Sequence, residues 1–139
     1  MKIVLDTNCL LPALPKNSAF RWLWDAFLEG KYELFYTTEI LQEYEELLWR
    51  YYSPATINMT IETLFNAHNA YQVIPYYKWN LISTDPDDNK FVDCALNAGV
   101  DYIVSNDHHF NILKKIDFPP VKVIDINSRS LKSLFYATA

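Results

Sequence analysis

The sequence of 139 residues predicts an α/β fold, a parallel sheet covered by helices. Two observations point there: strand-like and helix-like segments alternate along most of the chain, and the strand-like runs "KIVL" (2–5) and "DYIVSND" (101–107) are short, apolar and closed by an aspartate. Parallel strands of this kind are joined by right-handed crossovers.

The elements follow in order. Residues 2–5 read as a buried strand ending at Asp6. Residues 18–29 place Phe20, Leu23, Trp24, Phe27 and Leu28 at helical spacing, and Gly30 is a natural stop. "YELFYT" (32–37) is a strand, and Thr38 is positioned to cap a helix that carries Glu39 in its first turn and runs to about Tyr51. Ser53-Pro54 pairs a cap with a proline at the first helical position and opens a helix to about Ala70. "YQVIPYY" is strand or extended, with Pro75 arguing against a central place in a sheet. A helix from Asp87 to Ala98 stops at Gly99. "VKVIDI" (121–126) is a last strand, and Ser128 would cap a terminal helical turn.

Half of the residues are hydrophobic, enough for a single domain over 1–139 with its own core. No linker or internal repeat is visible, and the apolar runs are too short to span a bilayer. Asp6 interrupts the apolar N-terminus and no small-residue cleavage site follows, so a cytoplasmic protein without a membrane partner is expected. Cys9 and Cys94 form neither a disulfide framework nor a zinc spacing and read as buried apolar groups. The net charge of −5 opposes broad attraction to nucleic acid. A chain of this charge that handles RNA or DNA needs a divalent cation to offset its carboxylates.

Those carboxylates are not scattered. Ligands of open parallel sheets bind beyond the carboxyl ends of the strands, which is where Asp6 and Asp107 would stand. Either alone would pass as a turn aspartate; two at one edge are harder to assign so. "DPDDNKFVDCA" (85–95) adds Asp85, Asp87, Asp88 and Asp93. Phe91, Val92, Cys94, Ala95 and Ala98 share one side of their helix, and Asp88, one turn earlier, points along that side. Asp93 turns away as an outer or surface residue, while capping accounts for Asp85 and Asp87. On the preceding helix Ile40, Leu41, Tyr44, Leu47, Leu48 and Tyr51 form the apolar stripe. Glu43 and Glu45 flank it on either side, and periodicity does not choose between them.

Asp6, Asp88, Asp107 and one of these glutamates are therefore candidates to converge. Crowded buried carboxylates require a cation or a proton. An all-oxygen set suits Mg²⁺ or Mn²⁺, which lowers the pKa of bound water and polarises a phosphoryl oxygen. The chemistry that fits is phosphodiester hydrolysis.

At these residues the chain resembles the PIN domain family of metal-dependent ribonucleases, many of them toxins of prokaryotic toxin–antitoxin pairs. "IVLDTN" is similar to the opening motif, with Asp6 as the first acid and Asn8 as its supporting residue. "TTEILQEYEELL" is similar to the second motif and places the family's acid on Glu43. "DPDDNKFVDCALNAGVDYIVSND" resembles a subgroup of toxin components, with Asp88 as third acid, Asp107 as fourth and Ser105 as the hydroxyl residue before it. The resemblance implies an α/β/α sandwich around a five-stranded parallel sheet, often dimeric. It also implies an endoribonuclease in which Asp6, Glu43, Asp88 and Asp107 hold Mg²⁺ or Mn²⁺. Its partners would be RNA in single-stranded or loop regions, an antitoxin protein and a second copy of the chain. Asp93 is an extra acid in this scheme, Lys90, Lys114 and Lys115 are the basic residues placed to meet a phosphate backbone, and His108 and His109 read mainly as surface residues.

Trp24 reads as core, whereas Trp22 and "YYKWN" (76–80) suggest contact with a partner protein more than base stacking. Two other functions compete. An aspartate-nucleophile phosphatase or phospho-accepting domain would use Asp6, but such a phosphatase wants a second aspartate where Asn8 stands. A non-catalytic interaction module has no reason to gather the acids.

Overall fold

The computed structural model describes residues 1–82, 86–116, 119–127 and 129–136, without the side chains of His108, His109 and Arg129. The expectations for Asp85, Ser128 and the two histidine side chains lie outside the described residues.

Five strands, β1 (Lys2–Leu5), β2 (Glu33–Tyr36), β3 (Ala70–Gln72), β4 (Tyr102–Val104) and β5 (Val123–Ile124), form one all-parallel sheet in the order β3-β2-β1-β4-β5. Ile3 stands opposite both Leu34 and Tyr102. The chain builds outward from β1 to β3, then returns to add β4 and β5 on the other side. The order therefore reverses between β1 and β4, and at such a switch point the crevice beyond the strand ends is open for a ligand. Asp6 and Asp107 follow these two strands.

Consecutive β1 residues Ile3, Val4 and Leu5 are all buried, as a sheet covered on both faces requires. The covering helices are α1 (Thr7–Ala13), α2 (Arg21–Leu28), α3 (Thr38–Tyr51), α4 (Pro54–Asn66), α5 (Asn89–Ala98) and α6 (Arg129–Tyr136). This is the expected α/β/α arrangement. Helix α5 packs across β1, β2 and β4 and also touches α3, while α1 packs against α2 and α3. Phe135 of α6 stacks on Tyr32 with centroids 4.5 Å apart and lies 6.3 Å from Trp22. Trp22 is thus covered by α6, and Trp24 is in the core as its spacing predicts. No helix among the described residues is long and apolar enough to cross a membrane.

Local chemistry explains the boundaries, including those the sequence reading missed. Thr37, not Thr38, caps α3: its Oγ1 accepts the Ile40 N–H at 3.2 Å. Ser53 caps α4 as expected, accepting the Thr56 N–H at 3.3 Å with Pro54 behind it. That helix stops at Asn66 rather than Ala70, because Ala67 turns extended and Asn69 is committed elsewhere. The Asn69 amide donates to the carbonyls of Phe27 (2.8 Å) and Tyr32 (2.9 Å), which frees Ala70–Gln72 to pair as the edge strand β3. Helix α1 was not anticipated, since it is one residue past a strand and holds Pro12. A 3₁₀ segment, His108–Lys115, was likewise not foreseen. Gly99 ends α5 with φ 66°, the left-handed conformation that favours glycine.

Residues 76–82 pair with no strand, include Asn80 in the left-handed conformation (φ 53°), and are held by the side chains of α5. Asn97 accepts the Tyr76 N–H at 3.1 Å and donates to the Tyr77 carbonyl at 3.0 Å. Asp93 Oδ1 accepts the Trp79 N–H at 2.9 Å. Asn89 bonds both backbone groups of Ile82, at 2.8 and 2.9 Å. A spacing of four puts these three side chains on one helix face, so the segment runs antiparallel to α5 like a strap.

Candidate active site

The acids are positioned by the ends of β1 and β4, by the second turn of α3 and by the N-cap of α5. Asp6 leaves β1 with its side chain 3% exposed. Its backbone N–H bonds the Val104 carbonyl at 3.0 Å, so β1 and β4 are still paired where the acid emerges. Ser105, buried after β4, donates its hydroxyl to Asp6 Oδ2 at 2.7 Å and accepts the Asp107 N–H at 3.0 Å. The Asn8 backbone N–H also bonds Asp6, while the Asn8 residue itself is exposed, so its support comes from the main chain.

Burial is the largest influence on the Asp6 carboxyl and lifts its pKa above the ordinary value. The Ser105 hydroxyl and the Asn8 N–H pull it down, and the negative charges of Glu43 and Asp107 push it up again. Asp6, Glu43 and Asp107 therefore share one electrostatic neighbourhood.

Glu43 is the glutamate of α3 that faces this edge. Thr7 donates its hydroxyl to Glu43 Oε2, and Lys90 Nζ lies 2.8 Å from Glu43 Oε1. Next to it, buried Tyr44 donates its hydroxyl to the Leu5 carbonyl, anchoring α3 at the strand end that presents Asp6. Thr7 and Tyr44 escaped the sequence reading. The signal for Thr7 lay inside "DTN" itself, and Tyr44 was assigned to the apolar stripe without attention to its hydroxyl.

Asp88 stands at the start of α5, 9% exposed, with its Oδ2 sealed from solvent. Its carboxylate makes no capping bond to the helix, so capping does not account for it. Two residues on, Lys90 is the link from this turn to Glu43. Asp93 differs from the surface position expected for it. It is only 6% exposed because the 76–82 strap covers its side of α5, and its partner is the Trp79 N–H. Lys114 and Lys115 are exposed on the 3₁₀ segment after Asp107.

The donor set is oxygen throughout and matches a hard divalent cation in kind. Among the described residues, however, no group of three or more His, Cys, Asp or Glu side chains is gathered tightly enough to hold a metal ion. The positive charge at the acids here belongs to Lys90.

A parallel α/β sheet with acids at its switch point defines a broad class; sequence comparison narrows it. A PIN domain model matches residues 2–109, and the chain belongs to that family. The matched stretch contains Asp6, Glu43, Asp88 and Asp107 and ends before Lys114. Among solved structures the chain is similar to the crystal structure of VapBC2 from Rickettsia felis bound to a DNA fragment from their promoter. The two share 13% identity and a TM-score of 0.63, over 90% of this chain and 98% of that one. At that identity what they share is the fold. No curated protein matches.

Proposed function

We propose that this chain is a Mg²⁺- or Mn²⁺-dependent endoribonuclease acting as the toxin of a toxin–antitoxin pair. The observation that carries the reading is the Ser105 hydroxyl, which ties Asp6 to the backbone of Asp107 at the switch point while Glu43 lies in the same field. A fold that only binds another protein has no use for three repelling acids at that edge. Membership of the PIN family supports nuclease chemistry, and the likeness to VapBC2 together with the "DPDDNKF" block supports a toxin with an antitoxin partner.

In this reading Asp6, Glu43, Asp88 and Asp107 hold the cation, and Asp6 is kept in place by Ser105 and the Asn8 N–H. The bound cation supplies an activated water and charge for a phosphoryl oxygen. No side-chain nucleophile is required. Lys90, already among the acids, is the basic residue best placed to meet an RNA phosphate.

The test is cleavage of structured and unstructured RNA with Mg²⁺ or Mn²⁺, with EDTA, Asp6→Asn and Asp88→Asn as controls. Cleavage should need the cation and disappear in both folded variants; undiminished cleavage by either variant overturns the assignment.

A further inference from the structure

We infer that Lys90 is a built-in counter-ion of the acid pocket, released from Glu43 when a divalent cation enters, so that loading the site and freeing a phosphate-facing ammonium are one exchange. The inference rests on the nuclease reading and adds to it a mechanism of loading.

Three ion pairs occur among the described side chains. Arg21–Asp25 and Arg50–Glu46 are i,i+4 neighbours on a single helix. Lys90–Glu43 alone of these joins two helices, α5 to α3, at 2.8 Å with the side chains only 14% and 27% exposed. It is the least solvated of the three and the least screened. Both oxygens of the Glu43 carboxylate are engaged: Lys90 pairs with Oε1 and the Thr7 hydroxyl donates to Oε2. A ligand role for Glu43 brings the cation up against both partners, and one of them is displaced more easily.

The charge balance says which. Thr7 is neutral, and its hydroxyl can stay on one oxygen while the other binds an ion. Lys90 is positive, and a divalent cation placed among Asp6, Glu43 and Asp107 repels it at short range. Paired with Glu43, the ammonium partly neutralises the acids and offsets their mutual repulsion. Nζ also lies 5.6 Å from the ring centroid of buried Phe91, and the long flexible stem can carry the ammonium from there toward solvent. Released at that edge, the ammonium faces an incoming phosphodiester.

Mn²⁺ binding to the metal-free protein, measured by calorimetry on wild type, Lys90→Met and Lys122→Met, tests this. Lys122 is exposed just before β5, at the other end of the sheet, and controls for net charge. Lys90→Met should bind Mn²⁺ roughly three- to tenfold more tightly than Lys122→Met, the scale of a partly screened charge pair. In the wild type, acylation of the Lys90 amine, followed by peptide mass spectrometry, should quicken when Mn²⁺ is added. Equal or weaker binding by Lys90→Met overturns the exchange and leaves the nuclease reading standing, provided wild type binds and cleaves. If wild type and Lys90→Met both ignore millimolar Mn²⁺, both readings fall. Should Lys90→Met not fold, the acylation rate decides: no change with Mn²⁺ overturns the inference.

Discussion

Ser105 donates its hydroxyl to Asp6 Oδ2 at 2.7 Å across 99 residues of sequence, and the same oxygen receives the Asp107 N–H. One atom thus fixes the ends of neighbouring strands and the orientation of the first acid. Ser105→Ala should destabilise the protein by about 1–3 kcal/mol, because a buried carboxylate oxygen and an amide both lose their partner. Urea unfolding measures this. Ser105→Thr, which keeps the hydroxyl, should recover most of the loss.

Asn89 is the rung of the strap nearest the candidate site. Asn89→Ala removes both bonds to Ile82, itself 1% exposed. The cost should be about 2–5 kcal/mol for two buried backbone groups left without partners. Amide exchange at Ile82 should accelerate well before exchange in β1, which reports local release of the strap rather than global unfolding.

Asp93 predicts a pH dependence. Burial, opposed by the Trp79 N–H and Lys78 and assisted by Glu39, raises its pKa above 3.8 in the folded state. A raised pKa means that the folded protein binds the proton more tightly than the unfolded chain. The resulting stabilisation is complete below about 3.8 and is lost as pH climbs through the folded value. Asp93→Asn keeps an oxygen for the Trp79 N–H without a charge. It should equal or exceed wild-type stability at pH 7, with the difference shrinking toward pH 4 in thermal melts.

The thiols should be inert. Burial pushes Cys9 and Cys94 up to about 12, so thiolate is scarce at pH 8. Iodoacetamide should leave the native protein unmodified by mass spectrometry and label both cysteines in urea.

The sequence showed the fold through signals that act locally. Apolar strands closed by aspartates, Ser53-Pro54 and Gly99 each carry their own physical reason, and the parallel sheet follows from their alternation. Burial on both faces of β1 removed any period-two pattern there, yet the β-branched run was enough. Where the reading failed, a distant partner decided. Asn69 ends α4 by bonding carbonyls about forty residues away, which no window around residue 69 contains. Asp93 looked like a surface residue because a helical wheel records direction and not what lies over it; the strap is invisible to periodicity. At the acids, helix geometry left Glu43 and Glu45 tied; the resemblance to the second motif chose Glu43, and its contacts with Thr7 and Lys90 join it to the edge.

Up to Trp79 the strap is gripped mainly by its main chain: α5 reaches peptide groups of Tyr76, Tyr77, Trp79 and Ile82, and only toward Leu81 and Ile82 do side chains join the core. From Asn89 to Asn97 the helix rises about 12 Å, a span that about four fully extended residues would cover; the left-handed Asn80 (φ 53°) takes up the longer run from Tyr77 to Ile82. Evolution can therefore repaint the outward side chains here, Tyr76 at 87% exposure among them, with little harm to folding. Inserting or deleting a single residue between Trp79 and Ile82 would put the rungs on its two sides out of step and drag on the turn that carries Asp88. Apart from buried Ile82, length more than identity is what this stretch must keep.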